Sequence, residues 1–98
     1  MTTICDCLNQ RIPPKLSLAC MLEHVAEALE VEDAACLAAM HTLLADAHLL
    51  IEVGAAAALA GAWQRRPAIR ASRTVLILSG ANSDAAMVRR ALDTAKIG

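Results

Sequence analysis

The side chains of this sequence that can do chemistry fall into three groups, and none of them is complete. The first is a set of ligand atoms: Cys5, Cys7, Cys20 and Cys36 with His24, His41 and His48. Zinc sites draw on paired ligands at recurring spacings. Here Cys5 and Cys7 are separated by Asp6 alone, and His41 and His48 lie two helical turns apart without a third ligand, so no metal site is expected. The cysteines also lack the framework of a small secreted scaffold, which predicts reduced thiols, and Met1 to Gln10 shows no signal-peptide pattern, which predicts a cytoplasmic location. The second group is the amines Lys15 and Lys96. One follows Pro14 and the other lies at the tail, where both are expected to be solvated. The third is the polar stretch Ser79-Gly80-Ala81-Asn82-Ser83-Asp84, set between an apolar run and a helix-forming segment. Such turns follow parallel strands where α/β proteins bind ligands, and the N–H groups of the next helix suit anions.

The elements that must position these groups follow from periodicity. Pro13 and Pro14 predict an extended or turning start over Met1 to Pro14, because proline lacks a donor and restricts its predecessor. Ser17 is a candidate cap for a helix carrying Leu18, Met21, Leu22 and Val25, while His24 to Val31 is open to either helix or strand. Glu32 and Asp33 place negative charge at a helix start, and Ala34, Leu37, Ala38, Leu44, Ala45 and His48 follow at helical spacing. A further helix is predicted from about Gly54 through the alanine-rich stretch to Trp63, closed by Pro67. The run Thr74-Val75-Leu76-Ile77-Leu78 reads as a parallel strand buried on both faces. A last helix carries Ala86, Met87, Arg90 and Ala91.

Length and composition bound what these elements can build. At 98 residues the chain holds one small domain or part of a larger one. Hydrophobic residues make up 57%, against roughly 45–50% in ordinary globular chains, which excludes intrinsic disorder. Aromatic content is 1%, with Trp63 the single ring, so the core must be built from aliphatic residues and alanine and is thin. A net charge of −1 provides no field for a phosphate backbone, so nucleic acid is not an expected partner. The cluster Arg65, Arg66, Arg70 and Arg73 surrounds Pro67 without interleaved aromatics and reads as a solvated loop. The apolar window from Leu49 to Trp63 is broken by Glu52 and Gly54. It falls short of the roughly 20 residues that span a bilayer, and no membrane association is expected.

Three stretches, in order, resemble the carboxyl-terminal part of pyridoxal-phosphate-dependent serine/threonine dehydratases, the family of threonine deaminases and serine racemases with the tryptophan-synthase-β-like fold. Thr3-Ile4-Cys5-Asp6-Cys7-Leu8 is similar to the family's T-I-A-D-G-L segment. Leu50-Ile51-Glu52-Val53-Gly54-Ala55 and the alanines after it resemble V-V-E-P-S-G-A-A-A-L-A. Val75-Leu76-Ile77-Leu78-Ser79-Gly80-Ala81-Asn82 resembles the family's strand followed by S-G-G-N, and Val31-Glu32-Asp33 resembles its V-S-D-E-E-I helix start.

The resemblance implies pyridoxal phosphate as cofactor, an amino acid as substrate, and β-elimination from serine or threonine to a 2-oxo acid and ammonia. It assigns two cofactor-binding residues: Ser79, opposite the pyridine nitrogen, and Glu52, near the ring. A hydroxyl at that nitrogen leaves the ring largely unprotonated, which favours elimination over transamination. The sequence departs from the family pattern at Cys7, at Val53-Gly54 and at Ala81. Neither lysine stands in the family's S-x-K-x-x-G-A context, and no glycine-rich phosphate loop is present, so no catalytic residue is assigned. The expected fold is α/β: residues 1–98 as a single segment, an incomplete fragment with helices around one or two strands of a parallel sheet. A missing amino-terminal portion or a homo-oligomer would complete it. The alternative is a small helical interaction module without catalysis.

Overall fold

A computed structural model of the chain describes residues 2–98. It contains a 3-10 turn at Asp6–Leu8 and five helices: α1 (Lys15–His24), α2 (Asp33–Ala47), α3 (Val53–Gln64), α4 (Arg66–Ile69) and α5 (Ala85–Leu92). No strand occurs among the described residues.

The centre is α2, against which α3 and α5 pack. It buries Cys36, Leu37, Ala39, Met40 and Leu43, and α3 answers with Val53, Gly54, Ala55, Ala56 and Ala60. Most of these side chains are small, so the helix backbones meet closely and the core is the thin, alanine-based one that composition predicts. From α5 only Ala91 is buried, with Met87 and Val88 packed against the core. The carboxyl-terminal tail returns across α2: His41 Nδ1–H donates to the Thr94 carbonyl at 2.6 Å and the Ile97 N–H to Thr42 Oγ1 at 2.9 Å. His41, for which no role is expected from its spacing, thus fastens the tail to α2.

The helix ends are set by local chemistry. The helix expected to begin at Ser17 begins at Lys15, directly after Pro14, because proline's fixed φ suits a helix entrance and Ser17 lies inside the first turn. It ends at His24, and the chain turns extended at Val25. The Glu32-Asp33 signal is correctly placed, but Asp33 does more than meet the helix dipole. Its carboxylate accepts from Thr3 Oγ1–H and from the Ile4 N–H, at 3.1 Å for the latter, and so ties the amino-terminal segment to α2. These two bonds hold its carboxyl below the usual range. His48 ends α2 in the left-handed region (φ 57°), and the Leu49 N–H reaches back to the Leu43 carbonyl at 3.0 Å, a Schellman closure. Pro67 does not simply close α3. It sits in the first turn of α4, where its missing donor costs nothing.

The expected α/β architecture is corrected on one point. Thr74-Val75-Leu76-Ile77-Leu78 forms no strand and is not buried on both faces: Val75 is 87% exposed and Ile77 76%, while Leu76 and Leu78 are half-buried. The alternation is that of a strand, yet a strand exists only through a ladder with a neighbour, and no such ladder forms among the described residues. With one face on the helices and the other open, the segment keeps the period without the pairing. Residues 25–32 likewise join neither helix nor strand.

Candidate functional site

The three stretches that resemble one family converge at one end of α3. Glu52 is the N-cap residue of α3, in extended conformation, and its N–H donates to the Gly80 carbonyl at 3.0 Å. That bond sets the Ser79-Gly80 turn beside the start of α3. The Glu52 carboxylate then lies against Gly80, where a Cβ on residue 80 would overlap it. On the neighbouring side the Cys7 sulfur covers Gly54 in the same manner, and glycine at each position is what permits the close approach. Burial, followed by the Glu52 and Asp6 carboxylates, pushes the Cys7 thiol above its ordinary value.

The turn continues into α5. Asp84 caps that helix by accepting from the Met87 N–H at 2.8 Å, and the Ser83 N–H donates to the Ala81 carbonyl at 2.9 Å. Between the turn, the 3-10 segment and α3 lies a pocket of about 120 Å³, lined among others by Asp6, Glu52, Asn82, Ser83 and Asp84. The Ser83 hydroxyl is buried beside it without a hydrogen-bond partner.

Of the two residues expected to hold a cofactor, Glu52 lines this pocket; Ser79 does not, and it is exposed, with no hydrogen bond among the described residues. Sequence reasoning singled out Ser79 in the turn and Glu52 before the alanine-rich helix but missed Asp6 and Ser83, which line the pocket. The Asp6 signal was available in the Thr3 to Leu8 stretch; a lone serine in a polar turn offers no signal. Asn82, part of the same polar stretch, also lines the pocket.

The pocket does not fit pyridoxal phosphate as a self-contained site. A phosphate requires N–H groups or cations, whereas three carboxylates, Asp6, Glu52 and Asp84, face this space. A Schiff base requires an amine in reach. Lys15 is exposed on α1, and Lys96 is held by Asp46 at 2.8 Å near the end of α2. Neither lines the pocket. What the described residues do offer is a carboxylate at Glu52 set against Gly80, with the exposed Ser79 next to Gly80 in sequence.

A family model described as pyridoxal-phosphate dependent enzyme matches residues 1–80, which takes in the Cys5 to Leu8 stretch, Glu52 and the turn as far as Gly80. Neither the curated proteins nor the solved structures contain a match.

Proposed function

The chain belongs to the pyridoxal-phosphate dependent enzyme family, and from that premise we propose that it is the ring-facing part of a threonine/serine ammonia-lyase whose lysine and phosphate loop come from other sequence. The observation that supports the proposal is the backbone hydrogen bond from Glu52 to Gly80, which brings Glu52 to the residue that follows Ser79. Ser79 is the hydroxyl assigned to the pyridine nitrogen and Glu52 the carboxylate assigned to the ring, with serine or threonine as substrate and a cytoplasmic setting. The reaction of the completed enzyme is β-elimination to a 2-oxo acid and ammonia. The chain by itself does not catalyse, because the pocket holds no amine and repels phosphate.

Two measurements test this. Incubated alone with pyridoxal phosphate and L-threonine or L-serine, the chain is expected to give neither 2-oxobutyrate nor pyruvate, and borohydride is expected to fix no adduct at a single lysine. Joined in frame to the lysine-bearing portion of a threonine/serine dehydratase, it is expected to support formation of one of those 2-oxo acids, with Ser79→Ala lowering the rate. Turnover by the isolated chain overturns the incompleteness, and a chimera that folds and binds the cofactor without eliminating overturns the lyase assignment.

A second reading, a non-catalytic helical interaction module, draws on α1. All of its residues are exposed, Leu16 and Leu22 among them. Loss of binding to any partner on Leu22→Glu, with an inactive chimera, would favour it.

A further inference from the structure

Two buried thiols take no part in the pocket at Glu52 and Gly80. Cys36 lies one turn into α2 and is 1% exposed; Cys5 directly precedes the 3-10 turn and is 5% exposed. Cys5 Sγ donates to the Val53 carbonyl at 3.7 Å, and the bond from the Ile4 N–H to Asp33 sets the residue before Cys5 against the turn of α2 that carries Cys36. Both sulfur-bearing residues line a second cavity of about 490 Å³, together with Thr3, Leu29, Val31 and Asp33. The pair is shielded from the outer surface yet reachable through that cavity. Cys7 is directed elsewhere, its sulfur lying over Gly54, and Cys20 stands exposed on α1.

This arrangement has three physical consequences. Burial, with Cys5 and then Asp33 contributing, pushes the Cys36 thiol up to about 12, so at neutral pH it rests protonated. A resting thiol of that kind is slow toward dilute oxidants. The two residues nevertheless share one core and one cavity, so once one of them is activated the other is a thiol close at hand. They also join two parts of the chain, the amino-terminal segment and α2, that are far apart in sequence.

We propose that Cys5 and Cys36 form a reversible disulfide, with a small aliphatic disulfide as oxidant, that latches the amino-terminal segment onto α2. The step balances as two exchanges. Cys5, the less buried, gives its proton to solvent, and its thiolate attacks one sulfur of the small disulfide. The S–S bond breaks and the first small thiolate leaves and is protonated. Cys36 then loses its proton, its thiolate attacks the Cys5 sulfur of the mixed disulfide, and the second small thiolate leaves and takes up a proton. Two protein thiols are oxidised and one small disulfide is reduced to two thiols.

The full chain carrying Cys7→Ser and Cys20→Ser, both at exposed positions, tests this by incubation with oxidised glutathione, quenching in acid and mass spectrometry. The expected product has lost two hydrogens and carries no glutathione. Trypsin, cutting after Arg11, Lys15 and Arg65, is expected to release residues 1–11 disulfide-linked to residues 16–65. Dithiothreitol restores the original mass. The oxidised form is expected to melt about 10 °C higher than the reduced form, and Cys36→Ser abolishes both changes. Stable glutathione adducts at Cys5 or Cys36 without closure, or closure only in denaturant, would overturn the proposal.

Discussion

α1 and α2 are made of much the same residues and meet opposite fates. Each mixes leucine, alanine, cysteine and methionine with few charges, yet α2 buries five residues and α1 buries none. Leu16 and Leu22 on α1 are each 79% exposed, while Met40 on α2 is almost wholly enclosed. The difference lies in what each helix finds beside it. α2 meets the alanine face of α3 and the Ala91 side of α5, where small residues let backbones approach and fill space without bulky side chains. α1 is flanked by segments that belong to no element, so its apolar residues have nothing to be buried against. Hydrophobic content supplies the tendency to pack, and a partner surface decides whether packing occurs.

The strongest test of that contrast removes the same kind of bulk from both helices. Met40→Ala is expected to destabilise the chain by about 2–5 kcal/mol through the cavity it leaves, whereas Leu22→Ala is expected to change stability by about 0.5 kcal/mol or less. Urea unfolding followed by far-ultraviolet circular dichroism reads both. Equal losses would show that α1 is covered in solution.

The link from the amino-terminal segment to α2 predicts an acid dependence. Asp33 has a folded pKa below its unfolded value of about 3.9. Its contribution is therefore fully present above that unfolded value and is lost as pH falls through the folded one. Melting points collected downward from about pH 5 should fall, and Asp33→Asn should have a lower melting point near pH 5 and a flatter profile below it. A variant that keeps the slope of the parent would place the acid sensitivity elsewhere.

The two helix ends differ as well, since α1 runs out into extended chain at Val25 while α2 closes through His48 in the left-handed region. Glycine accepts that conformation without strain, so His48→Gly is expected to stabilise the chain by about 0.5–1 kcal/mol, measured by the same unfolding curves. A loss would mean that the imidazole makes a contact worth more than the strain. The smallest effect is expected at Ile77. Ile77→Thr removes apolar surface that is already in water and should leave the midpoint within about 0.5 kcal/mol. A loss of the size seen at Met40 would reveal a covering partner, and equilibrium sedimentation of parent and variant would identify a second copy as that partner.

Much of the helical framework is legible in the residues. Glu32-Asp33 marks α2, the alanine run marks α3, and the polar turn after Leu78 marks the approach to α5, because caps, propensity and period act over a few residues and need no distant contact. The same is true of Ser79 and Glu52 as candidates, which ordered motifs bring to notice. Other features are not local. The strand expected over Thr74 to Leu78 fails because its hydrogen bonds depend on a neighbour, and no periodicity within a segment reports whether one is present. The Cys7 sulfur over Gly54 and the cavity shared by Cys5 and Cys36 join residues tens of positions apart, and spacing alone carries no trace of them.

The sequence by itself determined that the chain is apolar enough to pack, poor in rings, built on small-residue helices, and without a lysine in a context fit for a Schiff base. Only the tertiary structure decided which apolar residues are enclosed, that Asp33 ties the first segment to α2 instead of serving only its own helix, and that Glu52 reaches the turn after Ser79. The division follows from range. Conformational preference is a property of neighbouring residues along the chain, whereas burial, close approach and electrostatic environment depend on what the rest of the molecule brings alongside.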